Sequence, residues 1–354
     1  MELGNGSYGS VRGVGNEAIK TFKDGYTPGL NCLTNEVFVT RFLRIEKLAN
    51  VVQLRACSFE KLTMTTERWH CNLDMALRRG MTTQQKLCVH RCILRGLAHI
   101  GRVYIINADI KPSNILVNAK CTDACIADFG ISSSSGSAKV KLTSRVFSLP
   151  EEEVRNHRSH DLFSFVILTL NMLYGRSLSK GLVENLSELQ RVVTSLVPTG
   201  VMRTTLINLI QEDRTKSWTA ERALYELYGE RLPKIERKFN YEQTKNPIFL
   251  EAISKNIDTL SVQYRFRKAS RCYRCSIFIV AILELSSVKS CLAYSTVMCF
   301  IFSCVFGTRV SMKQSDKLQA KTVMQLSDLT IERLYTCMNT IIASEDVVRL
   351  MFAP

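Results

Sequence analysis

Disulfide frameworks, zinc modules, secretory leaders and nucleic-acid-binding motifs are all missing from this sequence. The 13 cysteines are scattered, and the only Cys-x-x-Cys spacing, Cys272 with Cys275, has no second pair at metal-site distance. Free thiols in a reducing compartment follow, and no apolar signal segment stands at the N-terminus, so a cytosolic or nuclear protein is expected. Acidic residues are few beside basic ones, 32 against 47, which leaves a net charge of +15. Such a field attracts nucleotides, acidic peptides or nucleic acid without selecting among them. With no recognisable module and no aromatic-interleaved basic motif, specific nucleic-acid binding is disfavoured as the main function. What is present is an ordinary globular balance, 46% hydrophobic and 22% charged in 354 residues, enough for two domains and a sizeable core.

The most informative stretch is Asn107-Ala108-Asp109-Ile110-Lys111-Pro112-Ser113-Asn114, followed further on by Asp128-Phe129-Gly130. It reads as a phosphoryl-transfer centre. Asp109 can accept a hydroxyl proton and Lys111 can neutralise a moving phosphoryl group, while Asn114 and Asp128 can hold magnesium ions through oxygen. A lone Asp-Phe-Gly is usually only a turn after a buried strand, and a lone glycine-rich stretch only a loop. The conjunction carries the reading.

This pattern resembles the catalytic and magnesium-binding loops of eukaryotic-type protein kinases, and the resemblance implies a glycine-rich turn and a strand lysine upstream. Both are found. Leu3, Gly4, Asn5, Gly6, Ser7, Tyr8, Gly9, Ser10 and Val11 match the family's loop, whose backbone N–H groups approach the triphosphate of ATP. Lys20, after Ala18 and Ile19, matches the lysine that contacts the α- and β-phosphates. Glu36 is implied to be its carboxylate partner. It opens a segment in which Val39, Phe42 and Leu43 have helical spacing.

Downstream, Ser148-Leu149-Pro150-Glu151 takes the place of the family's Ala-Pro-Glu, and Arg214 is implied to pair with Glu151. Asp161 matches the aspartate that hydrogen-bonds the backbone of the catalytic loop, and the apolar run from Val166 to Leu173 predicts a buried helix. Two departures stand out. Asn107-Ala108 replaces the usual His-Arg, whose arginine commonly receives a phosphorylated activation-loop residue, so activity is expected to depend little on such phosphorylation. The serine-rich stretch from Ser132 to Ser137 reads as a solvated loop. Only Met1, Glu2 and Leu3 precede Gly4, so the first strand is expected to be nearly absent, with either a weakened small lobe or a sequence that begins late.

Lys111 belongs to the serine/threonine version of the loop; tyrosine-specific relatives usually carry alanine and arginine there. The resemblance therefore implies an ATP- and magnesium-dependent kinase acting on protein Ser/Thr hydroxyls. A nucleotide-binding scaffold is the alternative, although no lysine or aspartate needed for chemistry is missing. Transfer to a small molecule is disfavoured by Lys111 and by the segment ending at Glu151. The short lobes and the altered loop also resemble kinases of large DNA viruses, which would place the protein in a host cell.

The expected fold is α+β: a β-rich small lobe over residues 1–67, a helical large lobe over 68–232, and an all-helical region over 233–354. Thr63, Met64, Thr65, Thr66 and Glu67 are expected to connect the lobes, with Met64 at the back of the adenine pocket, and residues 84–100 to form a long helix. In the last third, residues 290–308 carry no charge, long enough for a membrane span, but serines, threonines and cysteines interrupt the run. Segments 279–285, 294–303 and 326–335 resemble the order of helices in a cyclin box, without its lysine–glutamate pair. A cyclin-like domain, another helical domain and, least favoured, a membrane span are the three readings of this region. The first would press on the Glu36 helix and favour the active form.

Overall fold

In the computed structural model the described residues are 2–5, 9–23, 28–134, 159–175, 186–213 and 216–233, with positions 342, 345 and 348. The chain divides into two units, Met1–Pro233 and Lys234–Pro354. The segments compared above with a cyclin box and a membrane span lie outside the described residues. Among those described, no helix is long and apolar enough to cross a membrane.

The first unit opens with strands β1 (Glu2–Asn5), β2 (Gly9–Val14) and β3 (Glu17–Phe22), all antiparallel. The β2–β3 hairpin turns at Gly15, whose φ of 55° is a conformation open to glycine at little cost. Gly9 is needed for a different reason: a Cβ there would lie 2.2 Å from the Thr21 carbonyl oxygen on the neighbouring strand. Although short, β1 pairs with β2 through Gly4↔Val11 and Asn5↔Ser10. Helix α1 (Pro28–Ile45) follows, with proline at its first position, where the missing N–H costs nothing. Its Val37, Phe38, Val39, Phe42 and Leu43 are all buried, and Phe38 stacks on Phe59 at 6.3 Å.

Strands β4 (Leu54–Ser58) and β5 (Thr63–Glu67) complete a sheet of order β1-β2-β3-β5-β4. This corrects the expectation that Thr63–Glu67 joins the lobes. The segment is a paired strand between β3 and β4, with Met64 buried opposite Lys20. Its threonines suit a pleated surface better than a connection. The crossing falls instead on Arg68, Trp69 and His70, where the Arg68 N–H donates to the Asn16 carbonyl at 3.0 Å.

The helical lobe begins at β6 (Cys71–Asn72) and α2 (Leu73–Arg79), capped by the Asn72 side chain. Helix α3 (Thr83–Arg102) starts at a capping box between Thr82 and Gln85 and runs slightly beyond the predicted 84–100. Three short strands come next: β7 (Ile105–Ile106), β8 (Ile115–Val117) and β9 (Ala124–Ile126). β10 (Ser133–Ser134) pairs back onto β7. Helix α4 (Ser159–Tyr174) is buried along almost its whole length, as its apolar run predicts. It packs with α3 beneath the loop between β7 and β8, and α5 (Leu186–Leu196), α6 (Val201–Leu209) and α7 (Ala220–Tyr228) complete the layer.

His90 locks three of these helices together. The Thr169 hydroxyl already donates to the Phe165 carbonyl, so His90 Nε2 carries the proton to Thr169 at 3.1 Å and Nδ1 accepts from the Tyr228 hydroxyl at 2.6 Å. Burial pushes its pKa down to about 3. Between pH 6.5 and 3 the unfolded chain therefore binds a proton that the folded chain refuses, so stability rises with pH across that window and is complete above it. His90 should contribute acid destabilisation of up to about 1.4 kcal/mol per pH unit there, so in thermal unfolding His90→Gln should show a flatter slope than the wild type.

Candidate active site

The sheet and α1 bring Lys20 and Glu36 together. Lys20 projects from the middle of β3, and its Nζ lies 2.7 Å from a Glu36 carboxylate oxygen and 3.0 Å from Asp128 Oδ1. Glu36 stands well inside α1, which begins at Pro28, as a residue of a segment with helical spacing should. Asp128 follows β9 with φ of 60°, a left-handed conformation that aspartate tolerates better than most residues. Burial works against the Lys20 ammonium, but Glu36 and Asp128 outweigh it and hold its pKa above the ordinary lysine value. Burial likewise opposes the Asp128 carboxylate, yet Lys20, in charge and hydrogen bond, and then Lys111 keep its pKa below the usual range.

Burial pushes the Glu36 carboxyl up to about 7, the Lys20 ammonium pulling against it. The ion pair is thus complete above that pH and is lost as Glu36 protonates below it. Any activity that needs the pair should have a kcat/KM that falls up to about tenfold per pH unit on acidification below about pH 7. Glu36→Gln should remove that limb from the pH profile.

Asp161, near the start of α4, shapes the other wall. Its two carboxylate oxygens accept the backbone N–H groups of Asn107 and Ala108, both at 2.8 Å. Ala108 is thereby held at φ of 67°. Asp109 comes next, almost buried, with Oδ2 at 2.7 Å from Lys111 Nζ and 2.8 Å from Asn114 Nδ2. Asn114 Nδ2 also donates to the Asp109 carbonyl at 3.0 Å, which leaves the carboxamide oxygen as the hard donor that this side chain still has to offer.

Asn107 joins the two halves of the site, a role the sequence reading missed. Its Oδ1 accepts from the Asp109 N–H and its Nδ2 donates to the Asp128 carbonyl, both at 3.1 Å. Of the residues expected to bind the nucleotide, Leu3, Gly4, Asn5, Gly9, Ser10 and Val11 lie on β1 and β2, and Ala18 lies on β3 with Lys20. A Cβ at Gly4 would meet no atom of the described residues within 4 Å. Gly6, Ser7 and Tyr8 lie outside the described residues, as do Glu151, Arg214 and the segment from Ser135 to Glu151.

A second contribution the sequence reading missed comes from Asn35. Its Nδ2 lies 2.9 Å from the carbonyl oxygens of Phe129 and Ser132 and 3.2 Å from that of Gly130, so three acceptors share its two protons. Phe129 is fully buried beneath this contact.

Comparison with known proteins gives a consistent result. A family model described as "Protein kinase domain" matches residues 1–227. The chain is similar to "Mitogen-activated protein kinase 5" of Oryza sativa subsp. indica, 30% identical over 175 residues, which are 43% of this chain and 45% of that protein. It is similar to "Mitogen-activated protein kinase 3" of Arabidopsis thaliana, 30% identical over 150 residues, 37% of this chain and 39% of that protein. "Mitogen-activated protein kinase mpkC" of Emericella nidulans is 31% identical over 158 residues, 41% of this chain and 36% of that protein. The chain thus spans less than half the length of these relatives.

Proposed function

From a chain that belongs to the protein kinase domain family, matched over residues 1–227, we infer an ATP-dependent serine/threonine protein kinase with Asp109 as catalytic base. The observation that carries this reading is the cluster at Asp109: one carboxylate bonded to Lys111 at 2.7 Å and Asn114 at 2.8 Å, linked through Asn107 to the loop bearing Asp128. Every role needed for transfer has an occupant, which favours an enzyme over a nucleotide-binding scaffold.

In the proposed reaction the acceptor hydroxyl attacks the γ-phosphorus, its proton passes to Asp109, and the bond to the leaving ADP oxygen breaks. Lys111 neutralises charge on the phosphoryl group in flight. Lys20, held by Glu36, binds the α- and β-phosphates, and the strands bearing Gly4, Gly9 and Val11 cover the nucleotide. Asn114 and Asp128 are the residues that would hold magnesium, and their chemistry fits: an amide oxygen and an ionised carboxylate are hard donors, and magnesium usually takes one or two protein ligands beside phosphate oxygens. When bound, the metal supplies charge neutralisation on the phosphates. Lys111 in the sequence Asp109-Ile110-Lys111-Pro112 supports Ser/Thr acceptors.

The test uses the purified full chain with γ-labelled ATP, magnesium and acceptor peptides containing serine, threonine or tyrosine. Label in phosphoserine or phosphothreonine is expected. Label confined to phosphotyrosine overturns the specificity, and nucleotide binding without transfer overturns the enzyme in favour of the scaffold.

A further inference from the structure

Asn35 immediately precedes Glu36 on α1 and is buried, 1% exposed. Its amide group reaches a span of chain far away in sequence. Phe129, Gly130 and Ser132 turn three carbonyl oxygens toward its Nδ2, within 2.9–3.2 Å. Oxygen in place of nitrogen would face those three acceptors with nothing to donate, so the surroundings fix the orientation of the amide. The turn it meets is closed on itself, with the Ser132 N–H donating to the Phe129 carbonyl at 3.2 Å and the Ser132 hydroxyl to the same oxygen. Asn35 Oδ1, by contrast, has no hydrogen-bond partner among the described residues. A buried acceptor without a partner is costly, so this side chain is a poor choice for filling space and a good one for gripping the turn.

The position matters because of its neighbours. Asp128 precedes that turn and Glu36 follows Asn35, so a single stretch of α1 holds the magnesium loop through the charged bridge of Lys20, through the Phe129 N–H that Glu36 accepts, and through the neutral Asn35 amide. Moving α1 away breaks all of these at once. Resting on the kinase reading above, we propose that Asn35 is a positioning residue that clamps α1 to the loop after Asp128 and so holds Asp128 where it ligates magnesium.

The experiment uses the full chain and two variants of similar size, Asn35→Leu, which lacks the donor, and Asn35→Asp, which turns a carboxylate toward the three carbonyls. The readouts are the magnesium dependence of binding a non-hydrolysable ATP analogue by calorimetry, kcat and KM for an acceptor peptide, and thermal unfolding. Asn35→Leu should raise the magnesium concentration for half-maximal nucleotide binding by roughly 10–100-fold, the usual effect of losing a partner that orients a metal ligand. It should lower kcat while leaving the peptide KM within about twofold, and Asn35→Asp should do both more strongly. Should Asn35→Asp fail to fold, the leucine variant decides alone. Lower unfolding temperatures with wild-type magnesium dependence overturn the proposal and leave Asn35 a structural brace. A wild type that binds the analogue with magnesium but transfers nothing overturns the kinase reading instead, and the binding comparison still decides the role of Asn35.

Discussion

Asp128→Asn is expected to slow phosphoryl transfer on the order of 10²–10³-fold while the protein stays folded. The side chain keeps its shape, and asparagine accepts the left-handed backbone at φ of 60° as readily as aspartate. What it loses is charge. Lys20 at 3.0 Å and the nearby Lys111 keep Asp128 ionised, so its carboxylate is the anionic oxygen available in this loop for a cation. An amide oxygen is a weaker ligand and leaves part of the Lys20 charge unopposed, while the Lys20–Glu36 contact at 2.7 Å remains. Single-turnover transfer at saturating ATP across a magnesium titration measures the loss, with thermal unfolding as the control. A transfer rate within about threefold of wild type at every magnesium concentration would refute the metal-ligand assignment.

Asp161→Ala is expected to act through folding as well as activity. The buried carboxylate satisfies two backbone donors, the N–H groups of Asn107 and Ala108, each at 2.8 Å. Removing it leaves both without that acceptor inside the protein, about 1–3 kcal/mol for each group. Those same bonds hold Ala108 at its positive φ, a conformation alanine does not choose. A fall in Tm on the order of 10 °C should follow for a unit of this size, and transfer should drop further than the unfolded fraction explains, because Asp109 is no longer aimed. Asp161→Asn keeps one acceptor oxygen and should fall between. A Tm within about 2 °C of wild type for Asp161→Ala would show that Asp161 does not anchor this loop.

The parts of the site carried by motif residues were legible because each role there is tied to a residue type at a fixed spacing. Lys20, Glu36, Asp109, Lys111, Asn114, Asp128 and Asp161 all stand in mutual contact, or contact the loop, as the resemblance implied. Helix α4 was legible from its apolar run, which only Thr169 and Asn171 interrupt, and α3 from its length. Thr63–Glu67 is a strand and not a connection because its three threonines are good strand formers and pair between β3 and β4. The start of α1 is marked by Pro28 at the first helical position. Asn35 and Asn107 are the harder cases. Both act on backbone carbonyls, and since every residue has a carbonyl, the accepting end of such a bond leaves no trace in sequence. Only the fold brings residue 35 onto residues 129–132 and residue 107 onto residue 128.

The most direct measurement is transfer of labelled γ-phosphate to a Ser/Thr peptide by the full chain and by Asp109→Ala, both at saturating magnesium and ATP, with nucleotide affinity measured in parallel. The account predicts that the variant binds nucleotide as the wild type does and transfers about 10²–10⁴-fold more slowly. Equal transfer rates would contradict it, as would a wild type that binds nucleotide and transfers nothing.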